Sequence, residues 1–156
     1  MSATTPTHPT VHSSISINER YILTQAGSWV LVFSARWVSE IFRVPRSRIL
    51  ALPFYQSPLM GVTHHNSHII PLASAHHLLQ TEENTLRETV TILKLSSAAG
   101  TLAHMGIVVD KTLGSSSQDQ LPPAILTTPS RHPQDTNSMV LFQTDWFPPD
   151  LWHPQR

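Results

Sequence analysis

The stretch LMGVTHHNSHIIPL, from Leu59 to Leu72, allows two interpretations of this 156-residue chain. Three of the ten histidines, His64, His65 and His68, fall within five residues between two short apolar runs. If the stretch were helical, His64 and His68 would share one face, and His76 follows soon after. The first interpretation is therefore a metal-binding or metal-sensing protein that uses His64, His65, His68 and His76 as ligands.

The second interpretation is a β-hairpin with a polar tip. The pair Asn66-Ser67 suits a tight turn, and Pro71 disfavours a helix interior because it lacks the backbone N–H group. No carboxylate stands close in sequence to orient histidine ligands. The stretch thus predicts two strands, Leu59 to Thr63 and Ile69 to Leu72, with the histidines as polar residues near the turn.

Composition excludes several classes of protein. Ten basic and ten acidic side chains give a formal net charge of zero, so no overall field favours nucleic acid or acidic lipid. The chain has no cysteine, which excludes disulfides and thiolate chemistry and is compatible with a reducing compartment. No apolar run approaches the ~20 residues of a membrane helix. We expect a cytoplasmic protein without membrane insertion, with a disordered tail at residues 1–14 and a single domain over residues 15–156.

Short strands at roughly ten-residue intervals predict an all-β barrel or sandwich. Tyr21 to Ala26 and Trp29 to Ser34 flank Gly27-Ser28 at hairpin spacing, and Ser74 can cap a short helix. Further strands are predicted at Val90 to Leu95 and Met139 to Gln143.

Four other segments carry weaker signals. The spacing of apolar residues in ARWVSEIFR, residues 35–43, predicts about one helical turn. Strands are also predicted at Arg48 to Leu52 and Ala124 to Thr128, whereas SSSQDQLPP at residues 115–123, which follows Asp110 to Gly114, has the composition of a loop.

The chain carries no recognisable catalytic motif. The patterns GxSxG, GxxxxGK[ST], GxGxxG and HExxH are absent. Ser34, His104 and Asp110 supply the residue types of a triad, but their spacing gives no reason to group them. We expect a protein that is not an enzyme and binds no cofactor.

Three motifs, in order, resemble those of the chemotaxis coupling protein family, the CheW-like domains. They are VSEIFRV at residues 38–44, GVTHHNSHIIPLASAHHLL at 61–79 and MGIVVDKTLGS at 105–115. The likeness extends clearly over about residues 21–114. The chain departs from the family in the middle motif, where His64, Asn66 and Ser67 replace the usual asparagine, arginine and glycine.

This resemblance implies an all-β fold of two SH3-like five-stranded β-barrels packed together, with short helical turns. It also implies a signalling adaptor that couples a methyl-accepting chemoreceptor-type protein to a CheA-like histidine kinase in chemotaxis, phototaxis or pilus motility. The partner-binding residues implied by the motifs and by the hairpin tip are Val38, Glu40, Ile41, Phe42, Gly61, His65, Asn66 and Asp110.

Overall fold

A computed structural model describes residues 19–82, 87–127 and 138–154, so the predicted tail at residues 1–14 lies outside the described residues. The strands are β1 Arg20–Ala26, β2 Trp29–Ser34, β3 Val38–Pro45, β4 Leu59–His65, β5 His68–Ser74, β6 Thr89–Leu95, β7 Gly106–Val109, β8 Lys111–Ser117 and β9 Met139–Leu141. The α-helices are α1 Ala75–Leu79 and α2 Pro123–Thr127. Short 3₁₀ helices are Ala35–Trp37, Arg46–Arg48, Ser97–Leu102, Gln118–Gln120 and Thr144–Trp146.

The strands form two sheets, which confirms the predicted all-β class. The first has the order β8-β1-β2-β9, with only the β2–β9 pair parallel. The second has the order β3-β6-β7-β5-β4, with only the β5–β7 pair parallel. The sequence analysis predicted five strands in each of two barrels. The second sheet has five strands, and the first has four in the described part of the chain. Strands β3 and β4 are the two edges of the second sheet and form no backbone ladder with each other among the described residues.

The two sheets pack on a shared apolar cluster, to which the first sheet contributes Phe33 and the second contributes Leu93 and Leu95. Along β6, Val90 and Ile92 point to the opposite face and join a separate cluster inside the second sheet. This alternation follows the two-residue period of a strand. Because both faces of β6 are buried, each of its large apolar side chains contributes roughly 1.5–3 kcal/mol of transfer free energy.

The hairpin and capping predictions are confirmed. Residues 59–72 form β4 and β5, joined at Asn66-Ser67, and β1 pairs with β2 around Gly27-Ser28. Ser74 caps α1 by accepting a hydrogen bond from the backbone N–H of His77. These features depend on local chemistry, which explains why the sequence was sufficient to predict them.

The helical turn predicted over residues 35–43 is wrong beyond its first three residues. From Val38 onward the chain is β3, which pairs with β6 along its length. Phe42 and Val44 are buried, whereas Ile41 and Arg43 are exposed, so the burial follows a strand period. The backbone pairing with β6 overrides the local spacing of apolar residues.

Three further segments differ from prediction. Strand β8, Lys111–Ser117, pairs with β1 and takes in the first three residues of the expected loop. The strand expected at Ala124 to Thr128 is α2, which begins at Pro123, a favourable first helical position, and buries Ile125. The strand expected at Arg48 to Leu52 is reduced to a single bridge at Leu50.

Candidate functional site

The two edge strands of the second sheet meet through three side chains. Phe42 points inward from β3, and the imidazole of His65, the last residue of β4, stacks on its ring with a centroid distance of 3.7 Å and an interplanar angle of 6°. The Nε2 atom of His65 lies 2.7 Å from Oε1 of Glu40, two residues before Phe42. A carboxylate can only accept a hydrogen bond, so Nε2 of His65 carries a hydrogen and donates a hydrogen bond to Glu40. This cluster connects strands that the backbone leaves unpaired.

The turn residues complete this corner. The amide nitrogen of Asn66 lies 3.2 Å from Nε2 of His65. Because Nε2 already donates to Glu40, this is a close approach of two N–H groups and not a hydrogen bond. Asn66 and Ser67 have φ values of 47° and 65°, as in the two central residues of a type I′ hairpin turn. Asparagine adopts this conformation more readily than most residues, whereas glycine is preferred at the second position.

The predicted residues of β3 divide between surface and core. Ile41 is 42% exposed, whereas Phe42 is 8% exposed. Val38 is partly buried and packs against the shared cluster. At this corner Glu40 and Asn66 reach the surface beside His65, whereas Ile41 is exposed on the opposite face of β3. Phe42 packs into the cluster inside the second sheet and Val38 against the shared cluster, so the two side chains hold β3 from opposite faces.

Gly61 has a steric reason for its identity. A Cβ atom at this position would lie 2.2 Å from the carbonyl oxygen of Leu50, far inside van der Waals contact. The close approach allows Leu50 and Val62 to exchange two backbone hydrogen bonds of 2.8 Å. Gly61 presents no side chain to a partner, so its contribution here is to the path of the backbone.

Asp110 lies away from the β3–β4 corner and has contacts with neither Glu40 nor His65 among its hydrogen bonds in the described residues. One carboxylate oxygen accepts from the backbone N–H of Gly27 at 2.7 Å, and the other lies 2.9 Å from Nε2 of His76. These contacts join the β1–β2 turn, helix α1 and the end of β7. His76 is 3% exposed, so this is a buried polar connection between the two sheets.

The sequence did not predict the pairing of His76 with Asp110. The residues are 34 positions apart, and α1 alone gives no sign of which strand end it meets. The pair resembles half of a catalytic triad, but Nδ1 of His76 is buried without a hydrogen-bond partner among the described residues. Ser34 donates to Glu19 instead, so the structure does not assemble Ser34, His104 and Asp110 into a triad.

The metal-binding interpretation receives no support in the described part of the chain. His65 faces Phe42 and Glu40, and His76 is buried against Asp110. Within residues 19–82, 87–127 and 138–154, no three His, Asp or Glu side chains are grouped so that they could hold a metal ion. No helix in those ranges is both long and apolar enough to cross a membrane.

Comparisons with known proteins identify the fold. No model of a protein family matches the sequence, and no curated protein matches it significantly. Among solved structures, the chain is similar to the crystal structure of the scaffolding protein TtCheW from Thermoanaerobacter tengcongensis, with a TM-score of 0.53 and 12% sequence identity. The match covers 65% of this chain and 66% of TtCheW, slightly less than two thirds of that protein. The chain therefore has a CheW-like fold.

Proposed function

We propose that the chain is a non-enzymatic signalling adaptor that couples a chemoreceptor-type sensor to a CheA-like histidine kinase. The observation that carries the proposal is the fold, which is similar to that of a protein described as a scaffold. The three sequence motifs that resemble chemotaxis coupling proteins support it independently. The pathway would be chemotaxis, phototaxis or pilus motility, and the place of action would be the cytoplasm.

The chemistry of the described residues supports a binding role. The His76–Asp110 pair has the composition of a catalytic dyad, but it is buried and joins three elements of the fold. Among the described residues, no hydroxyl group hydrogen bonds to the second ring nitrogen of His76, so none of them is placed as a nucleophile for the pair.

The corner between β3 and β4 provides the surface for a partner. A binding surface needs an exposed apolar anchor on a rigid support, with polar groups around it. Ile41 is the apolar anchor on one face of edge strand β3, and Glu40 and Asn66 are polar groups on its other face, so a partner that straddles this edge contacts both. Glu40 is held by His65, which is in turn stacked on buried Phe42, so its carboxylate is oriented before a partner arrives.

A binding experiment with a matched control tests this assignment. The chain is immobilised and titrated with the regulatory domain of a CheA-like kinase and with a chemoreceptor signalling tip from the same genome. Ile41→Ser should weaken binding of at least one of them roughly tenfold, as loss of an apolar anchor does. Leu113→Ser is the control, because Leu113 is similarly exposed at 47% but lies on β8 of the other sheet.

Each outcome of that experiment is informative. Binding of neither partner by the unmodified chain would overturn the adaptor function. Equal losses in the Ile41 and Leu113 variants would remove the assignment to the β3–β4 corner.

Asn66 provides a second test, since the family that the chain resembles carries an arginine at the matching position. Asn66→Arg should increase affinity for a standard kinase and receptor pair, whereas Asn66→Gln should not. Unchanged affinity in the arginine variant would show that the turn does not set partner choice, and attention would move to Ile41 and Glu40.

A further inference from the structure

One face of the β4–β5 hairpin, together with Leu50 beside it, carries an exposed apolar patch. Leu50 and Val62 exchange two backbone hydrogen bonds of 2.8 Å, and Val62 pairs with Pro71 of β5, so these three side chains form a row on one face. Ile69, two residues before Pro71, shares that face. Leu50 is 67% exposed and Ile69 is 71% exposed. These four residues are called the hairpin face below.

The rest of the fold leaves the hairpin face uncovered in the described part of the chain. Ile70 and Leu72 of β5 point into the cluster inside the second sheet, so the hairpin face points away from that cluster. Further along β5, Ala73 lies on the same face as Ile69 but is covered by the shared cluster between the sheets. Several large apolar side chains on one exposed face mark a surface that another element covers.

The segment that supplies the hairpin face carries basic and no acidic side chains. Residues 41–81 contain three arginines and neither aspartate nor glutamate, although the whole chain has ten basic and ten acidic side chains. Arg48 is exposed two residues before Leu50, and its carbonyl oxygen accepts from the hydroxyl of Thr63 on β4. No described carboxylate forms an ion pair with Arg48. The surroundings of the hairpin face therefore complement a partner that carries negative charge.

We propose that the hairpin face binds an acidic amphipathic helix of a partner protein. The apolar side of the helix would lie on the row of side chains, and its carboxylates would lie toward Arg48. A helix packed on the apolar face of a sheet is one of the few stable two-layer arrangements. Neighbouring strands place the side chains of the row about 5 Å apart, which matches the roughly 5–6 Å between side chains at positions i and i+4 of a helix.

Charge and geometry argue against three other occupants. An added β-strand would need a free backbone edge, but Leu50 already occupies the edge of β4 at Val62. A second copy of this chain would bring two acid-free segments together, and like charges across an interface are unfavourable. Anionic lipid is recognised by clusters of roughly four to eight lysines and arginines, whereas residues 41–81 supply three.

Titration of the full chain with a designed helical peptide, followed by NMR, tests this proposal. The probe is a blocked peptide of about four helical turns, with leucine along one side and glutamate on the others. Its matched control replaces every glutamate with glutamine. The backbone signals of Leu50, Val62 and Ile69 should shift with the glutamate peptide, with an affinity roughly tenfold above that for the glutamine peptide. Equal affinities, or shifts confined to other parts of the chain, would overturn the proposal.

Variants at exposed positions assign the effect to the hairpin face. Leu50→Ser and Ile69→Ser should each weaken binding of the glutamate peptide roughly fivefold, whereas Leu113→Ser, on β8 of the other sheet, should not. Arg48→Gln should reduce the preference for glutamate over glutamine, and Lys111→Gln, at an exposed position on β8, should keep it. Equal effects of the variants on the two sheets would show that the peptide binds elsewhere.

Two further measurements distinguish the other occupants. Dimers that appear in sedimentation equilibrium and are abolished by Ile69→Ser would identify a second copy of the chain and overturn the proposal. Tighter binding to vesicles of equal phosphatidylcholine and phosphatidylglycerol than to the glutamate peptide would identify lipid and overturn it too. The proposal goes beyond the adaptor function, which is tested with whole partner domains and Ile41→Ser, so a negative result with the peptide would leave that test standing.

Discussion

The imidazole of His65 lies parallel to the ring of Phe42, with 3.7 Å between the centroids, although their strands share no backbone ladder in the described residues. The second sheet is therefore brought together at its edges by side chains. Glu40 strengthens the contact by accepting from His65 at 2.7 Å. His65 and Phe42, which join the two edges, also orient the carboxylate of Glu40, and this carboxylate is proposed to face a partner.

Replacement of His65 tests how much this contact stabilises the fold. His65→Ala removes both the stacking on Phe42 and the hydrogen bond to Glu40, and should lower the free energy of unfolding by about 1–2 kcal/mol. His65→Phe keeps the stacking and should lose less. Urea denaturation gives both values. His68→Ala, at an exposed position opposite His65, is the control and should change stability by less than about 0.5 kcal/mol. A loss as large in the control would contradict the role of His65.

The turn between β4 and β5 carries conformational strain at Ser67, whose φ is 65°. Ser67→Gly should raise the free energy of unfolding by about 0.5–1 kcal/mol, because glycine adopts positive φ without a steric penalty. Thermal denaturation measures the gain. Ser67→Ala retains a Cβ atom and should give no increase, and stabilisation by alanine would refute the strain argument.

Gly61 and Gly100 both have a positive φ, 157° and 62°, but a side chain would meet a steric overlap only at Gly61. Gly61→Ala places a methyl group 2.2 Å from the Leu50 carbonyl oxygen, so residues near Leu50 must shift, at a cost of about 2–3 kcal/mol. Gly100 has a φ of 62°, and a Cβ atom added there would have no neighbour within 4 Å, so Gly100→Ala should cost only about 1 kcal/mol. Chemical denaturation of the two variants provides the comparison, and similar losses would show that the approach of Leu50 relaxes easily.

Asp110 is expected to be important for stability. Asp110→Asn leaves an amide where both Gly27 and His76 need an acceptor, and should cost about 3 kcal/mol. Asp150→Asn is the matched control, because Asp150 is exposed and no described side chain pairs with it. Urea denaturation at neutral pH measures both. If the Asp110 variant were as stable as the control, the connection between the sheets would not depend on this carboxylate.

Tyr21 makes stability depend on pH in the alkaline range. Burial, and secondarily the Glu19 carboxylate, raise the pKa of the Tyr21 hydroxyl above its usual 10.0. The unfolded chain releases this proton at a lower pH than the folded chain, so the free energy of unfolding falls as the pH rises through the unfolded pKa. Tyr21→Phe should make this decline shallower between roughly pH 9 and 11. An unchanged slope would show that Tyr21 does not cause it.

Local chemistry made part of the fold predictable. The strands around Asn66-Ser67 and the cap at Ser74 depend on residues within a few positions of one another, and both predictions are confirmed. The prediction for residues 35–43 failed because apolar residues at helical spacing also fit a strand when a partner such as β6 is available. Residues 111–117 likewise form a strand because β1 offers them a free edge.

The candidate surface was only partly predictable for a related reason. The motifs named Glu40, Ile41 and Asn66, but they also named Phe42, which is buried, and Gly61, whose identity follows from the approach of Leu50. Whether a strand residue faces solvent depends on what the other strands place beside it.

The sequence by itself determined the local turns, the helix cap, the strand at Val90 to Leu95, and the absence of cysteine chemistry. These follow from the properties of each residue and its near neighbours. Only the tertiary structure decided that His65 meets Glu40 and Phe42, and that Asp110 joins Gly27 to His76. Gly27 and Asp110 are 83 positions apart, and such contacts arise from the way in which two sheets curve and pack, which no short segment of the chain encodes.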